Sequence, residues 1–174
     1  MRKLSLLLLV ACAIALPASA QIKVRGKETC AKPDSMQSVD AGDKPGHSLM
    51  IQKGTCTWST PFEIAGLKAV SSVDVSTGEA WGPNVTQHGY DTATMDNGDT
   101  ITSKYSGTMK VASDGTATFN GTWSVVSATG KLKGISGSGS YGGTGAADGS
   151  GTSDVKGEMT LGMHPMSTAA KPAN

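Results

Sequence analysis

Between residues 116 and 161, glycine interrupts alternating apolar, β-branched and aromatic residues every few positions: TATFNGTWSVVSATGKLKGISGSGSYGGTGAADGSGTSDVKGEMTL. No helical period runs through this stretch, and side chains two apart share one face of a strand. Phe119, Gly121, Trp123 and Val125 therefore fall on one face, with Asn120, Thr122, Ser124 and Val126 on the other. After a turn at 127–133, Ile135, Gly137, Gly139 and Tyr141 share a face opposite Ser136, Ser138 and Ser140. Glycine weakens a strand interior and persists where a sheet bends sharply or a backbone comes close. A small, strongly curved sheet is the architecture that uses it.

The rest of the chain has the same period. Strands are readable from Ser48, broken at Gly54, and again over 66–76, where Leu67, Ala69, Ser71, Val73 and Val75 alternate with Lys68, Val70, Ser72 and Asp74. Trp81-Gly82-Pro83-Asn84 is a turn, 85–94 a polar strand, and Asp96-Asn97-Gly98-Asp99 a hairpin signal, because Asn-Gly accepts the positive φ of tight hairpin turns. Strands over 101–111 and 153–161 complete the count. About eight strands at intervals of roughly 8–12 residues define an all-β chain, an antiparallel eight-stranded barrel with a β-sandwich as runner-up.

Residues 1–20 read as a signal peptide: Arg2 and Lys3, an apolar run over 4–16, then Ala18-Ser19-Ala20 for cleavage. The run is short for a bilayer span. A lipobox-like Leu9-Val10-Ala11-Cys12 offers lipidation at Cys12 as a less favoured alternative. The expectation is export to the periplasm or beyond. Residues 21–45 read as one short strand and a disulfide-pinned loop, 46–162 as the barrel, and 163–174 as a disordered tail. Removing Arg2 and Lys3 takes the formal net charge from +1 to −1. Without a Lys/Arg run, such a chain lacks the electrostatic footprint of a nucleic-acid or anionic-membrane binder. Cys30 and Cys56, an even pair in an exported chain, pair most simply as a disulfide. A metal site combining them with His47 has no supporting C-x-x-C spacing, and Met163-His164-Pro165-Met166 reads as tail, so no metal or other cofactor is expected.

The segment ATGKLKGISGSGSY (128–141) resembles the G-G-T-G-K/R-F-x-G-x-x-G segment of allene oxide cyclase-like and dirigent-like barrels, with Ala128 where that family has Gly. TMDNGDT, SGTM and FNGTWSVV are similar to exported bacterial proteins placed near that superfamily, and the resemblance spans roughly residues 86–161. It implies an eight-stranded antiparallel barrel with an apolar interior. The superfamily's enzymes act through polar groups at the barrel mouth, on segments this sequence does not match, so no active site is carried over.

Candidate chemistry is sparse. His88 and Tyr90 share a strand face and could form an acid–base pair, although a solvent-facing polar pair is the plainer reading. Glu63, among apolar neighbours, is a candidate buried base, although such a residue more often points outward. No G-x-S-x-G elbow, H-E-x-x-H or spaced carboxylate pair is present. Trp58, Phe119, Trp123 and Tyr141 are the aromatic candidates for a ligand-binding interior, or simply for a filled core. These features are those of an exported barrel binding a small apolar or amphipathic molecule. The alternatives are a cyclase or isomerase that works by positioning, and a structural envelope protein.

Overall fold

The computed structural model describes residues 21–162. They form ten strands: β1 (Gln21–Cys30), β2 (Ser35–Asp40), β3 (His47–Thr60), β4 (Glu63–Ile64), β5 (Leu67–Trp81), β6 (Asn84–Met95), β7 (Thr100–Val111), β8 (Ala117–Ala128), β9 (Ser136–Gly145) and β10 (Gly151–Thr160). The segments read as signal (1–20) and tail (163–174), with Cys12 and the 163–166 group, lie outside the described residues.

Eight of the strands pair antiparallel in the order β3-β1-β10-β9-β8-β7-β6-β5, and β5 pairs back onto β3. The ring closes because β3 is long enough to serve three neighbours. Its Cys56, Thr57, Trp58 and Thr60 pair with β1 on one edge, its first six residues after His47 pair with β2 on that same edge, and β5 runs along the other. The result is the expected eight-stranded barrel. A sandwich would leave edges that this pairing removes.

Local chemistry sets the turns. Asn97-Gly98 makes the β6–β7 hairpin, with Gly98 at φ 88° and the Met95 N–H donating to the Asp99 carbonyl at 2.8 Å. The glycine-rich segment at 128–134 forms one 3-10 turn, Gly130–Leu132, whose Lys131 N–H donates to the Asp99 carboxylate at 2.9 Å. Gly130 sits at φ 53°, and a Cβ there would collide with that carboxylate. The turn drops Leu132 into the barrel end, 1% exposed, against Ile64, Met95 and Ile101. Because the strands alternate in direction, the start of β5, the end of β6, the start of β7 and the end of β10 all meet at this end. Leu67, Met95, Ile101 and Met159 close it with apolar side chains.

Two departures from the sequence pattern shape the interior. Residues 21–45, expected as a short strand and loop, supply a full stave in β1 and the additional strand β2. The alternation in β1 is disguised, because Gly26 and Glu28 follow Ile22 and Val24 on its inward face. Gly54, expected to interrupt a strand, lies within an unbroken β3 paired to Asp74. In β5, the register shifts between Ala69 and Ser71, leaving Val70 as a bulge. A one-residue shift exchanges the faces of everything beyond it. Leu67 and Ala69 face inward before the bulge. After it Ser72, Asp74 and Ser76 do, while Val73 and Val75 are 39% and 44% exposed.

Cys30 and Cys56 are directly opposed across β1 and β3 and form the disulfide, bridging a sequence separation of 26. In the chain-entropy account, closing a loop of that size contributes about 3–4 kcal/mol. Denaturant unfolding with and without reductant should show a loss of about that size, and Cys56→Ala should match the reduced protein.

Candidate functional site

Above the apolar plug the barrel is not filled. A cavity of about 480 Å³ runs to the opposite end, where β1, β7 and β9 finish and β6, β8 and β10 begin. That volume is in the range of small-molecule sites. Its rim carries Met36, Met50, Met109 and Ala147, and its deeper walls carry aromatic and acidic side chains.

The aromatic walls depend on glycine. Trp58 lies against Gly26, Tyr105 against Gly89, Tyr141 against Gly121, Trp123 against Gly139 and Phe119 against Gly143. In each pair an added Cβ would stand 2.6–2.7 Å from the ring. A ring can cross the face of a neighbouring strand only where that strand has no side chain of its own. Tyr105 crosses Gly89 in this way to reach Ser76 and Asp74 on β5. Tyr105 and Tyr141 meet edge to face at 5.5 Å, and the Gln87 amide donates to the Tyr141 hydroxyl at 3.1 Å. The indole N–H groups of Trp58 and Trp123 are buried without an acceptor among the described residues.

The acids converge from three strands. Glu28 of β1 reaches over β3 to accept a hydrogen bond from the Ser72 hydroxyl at 2.8 Å. Asp74 and Asp91 are directly opposed on β5 and β6, and Asp74 accepts from Ser76 at 3.2 Å. Glu28 is 8% exposed, and burial raises its carboxyl from 4.5 to about 7. Ser72 pulls it back and Asp74 adds repulsion. Burial also holds Asp91 well above the usual carboxylate range, reinforced by the charge of Glu28, and raises Asp74, against which the Tyr105 hydrogen bond works. Ser72 has one hydroxyl proton for two carboxyls, Glu28 and Asp91. The cluster is short of donors, and Glu28 is left partly protonated near neutral pH.

All four aromatic candidates from the sequence, Trp58, Phe119, Trp123 and Tyr141, stand on the cavity wall. The three polar candidates stand outside it. Glu63 is exposed and paired with Lys68 at 3.3 Å, while His88 and Tyr90 lie on the outer face of β6. Asp91, on the opposite face from that pair, is the residue that enters the site. His47, considered as a metal ligand beside the two cysteines, is engaged elsewhere: Nδ1 and Nε2 contact Asp43 and Glu79, and the ring stacks on Trp81 at 3.6 Å. Ligand atoms of Glu28, Cys30 and Cys56 lie within 4.8 Å of one another, but the two sulfurs are bonded together and offer no thiolate. Sequence reasoning missed Glu28, Asp74 and Asp91. The available signal was the strand parity of Glu28 with Val24, and of Asp91 with Val85 and Ala93.

No family model and no curated protein sequence matches the chain. Two solved structures of pterocarpan synthase dirigent proteins, GePTS1 and PsPTS1, match it in fold. At 10% identity each, they superpose with TM-scores of 0.51 and 0.50, spanning 89% and 86% of this chain and 98% and 100% of their own. The chain thus has a dirigent-like barrel fold.

The Glu28 shift sets the sign of a pH effect. Between about 4.5 and 7 the unfolded chain has released this proton and the folded one has not, so stability falls as pH rises through that window, by up to about 3 kcal/mol. Urea unfolding across pH 4–8 should show this decline. Glu28→Gln should make it shallower, leaving the same-signed contributions of Asp91 and Asp74, whose carboxyls burial also raises, and that of His47, whose raised pKa places its loss above 6.5.

Proposed function

We propose that this chain is an exported barrel that binds and orients a small amphipathic molecule, apolar body toward the methionine-rich rim and polar end among Glu28, Asp74 and Asp91. The observation that carries this reading is the cavity itself: about 480 Å³, open at one end, apolar over most of its wall and acidic in its depth. Eight-stranded barrels have room for one such ligand. The fold shared with two dirigent proteins supports an orienting role, although the product named for those proteins is theirs. The Cys30–Cys56 disulfide supports an oxidising compartment, in keeping with the signal-like 1–20 segment.

An apolar fluorescent probe should enter with one-to-one stoichiometry, brighten, and be displaced by amphiphiles extracted from the native envelope. Mass spectrometry of the purified protein should find such a molecule copurifying. Failure of any probe to enter would return the chain to a structural role.

A second reading, catalysis by positioning, is favoured by one observation: a carboxyl raised to about 7 is half protonated at neutral pH, which suits a general acid or base. Proton transfer to a held ligand would leave a label. Incubation of the copurified molecule with the protein in D₂O should incorporate deuterium into a carbon-bound position, and Glu28→Gln should abolish it.

A further inference from the structure

We propose that the polar end of the cavity's occupant is a cation: a protonated amine on an amphipathic body, its ammonium held among Glu28, Asp74 and Asp91. This deepens the binding reading above and rests on it.

The argument starts from charge balance. Three carboxyls from β1, β5 and β6 are gathered at one depth of the barrel, and they repel one another. Their polar neighbours are neutral: the Ser72 and Ser76 hydroxyls and the phenol of Tyr105. Arg25 is the one basic residue on the cavity lining, and it belongs to the exposed face of β1, next to inward Val24 and Gly26. Buried carboxylates in native proteins are paired, hydrogen-bonded or kept neutral by protons. Among the described residues no counter-cation faces them, so protons stand in for one. An ammonium group carries the missing charge and three N–H donors to share among the acids and hydroxyls around it.

A further feature points to an occupant independently of the acids. The wall is aromatic, with Trp58, Tyr105, Trp123 and Tyr141 around the cavity, and ring faces attract organic cations. A bare metal ion fits less well. Among the described residues, the one close trio of metal-ligating side chains is Glu28 with the disulfide-bonded Cys30 and Cys56, and an ion would leave the apolar volume empty.

Binding couples to protons with a definite sign. An ammonium stabilises the ionised acids, so the amine binds with proton release and binds more tightly as pH rises from 5 to 8. A neutral ligand of the same shape does not gain in that way.

The test displaces a bound apolar probe from the full-length, disulfide-intact protein with three ligands of one skeleton: 4-phenylbutylamine, 4-phenylbutanol and 4-phenylbutyrate. At pH 8 the amine should compete at a concentration about tenfold or more below the alcohol, with the carboxylate weakest. Lowering the pH to 5 should erase the amine's advantage in the wild-type protein. In the double variant Glu28→Gln/Asp91→Asn, the amine-to-alcohol ratio should fall toward one. Equal displacement by amine and alcohol at every pH would overturn the cation while leaving the binding reading intact. Tighter binding of the carboxylate, or displacement by calcium chloride but not by the amine, would likewise overturn it. If the probe never enters, the binding reading itself has failed.

Discussion

β3 pairs on one edge with β1 and β2 and on the other with β5, and the barrel depends on that double partnership. Without it, eight strands would make an open sheet with two exposed rows of unpaired main-chain groups. With it, inward side chains from every stave share one enclosed volume, and each must find room beside neighbours from the facing wall. The disulfide joins β1 to β3 at the seam, which fixes the register where the ring meets itself.

Closure sets a packing problem that the glycines answer. An eight-stranded barrel is just wide enough for its own side chains or for one small ligand. Here the two outcomes are separated along the axis. At one end Leu67, Met95, Ile101, Leu132 and Met159 interlock into a solid plug. Farther up, the rings lie along the wall over Gly26, Gly89, Gly121, Gly139 and Gly143 instead of meeting at the axis, and the centre stays open. The question posed by the sequence, filled core or cavity, is answered by depth.

The bulge at Val70 gives that open centre its chemistry. One extra residue reverses the faces of β5, sending Val73 and Val75 outward and bringing Ser72, Asp74 and Ser76 in beside Glu28 and Asp91. Burial then raises the pKa of all three acids. The interior is apolar over most of its surface, yet it carries in Glu28 a group that exchanges its proton near neutral pH.

The sequence by itself determined the all-β class, the approximate strand count, the Asn97-Gly98 hairpin and the inward set Phe119, Gly121, Trp123, because each is a matter of near neighbours: strand parity and turn dihedrals are local. It also made the Cys30–Cys56 pairing the simplest choice. The acidic site was not legible. Asp74 and Asp91 are partners across the β5–β6 hairpin, but Glu28 lies far back in the chain and joins them only through β3, and the apparent inward face of β5 was reversed by a bulge that apolar alternation does not reveal. Glu63, His88 and Tyr90 drew attention through their sequence neighbours, which say nothing about the side of the wall on which a residue stands. Tertiary structure decided which carboxyls lost their water, since desolvation depends on everything packed around a group and not on what adjoins it in the chain.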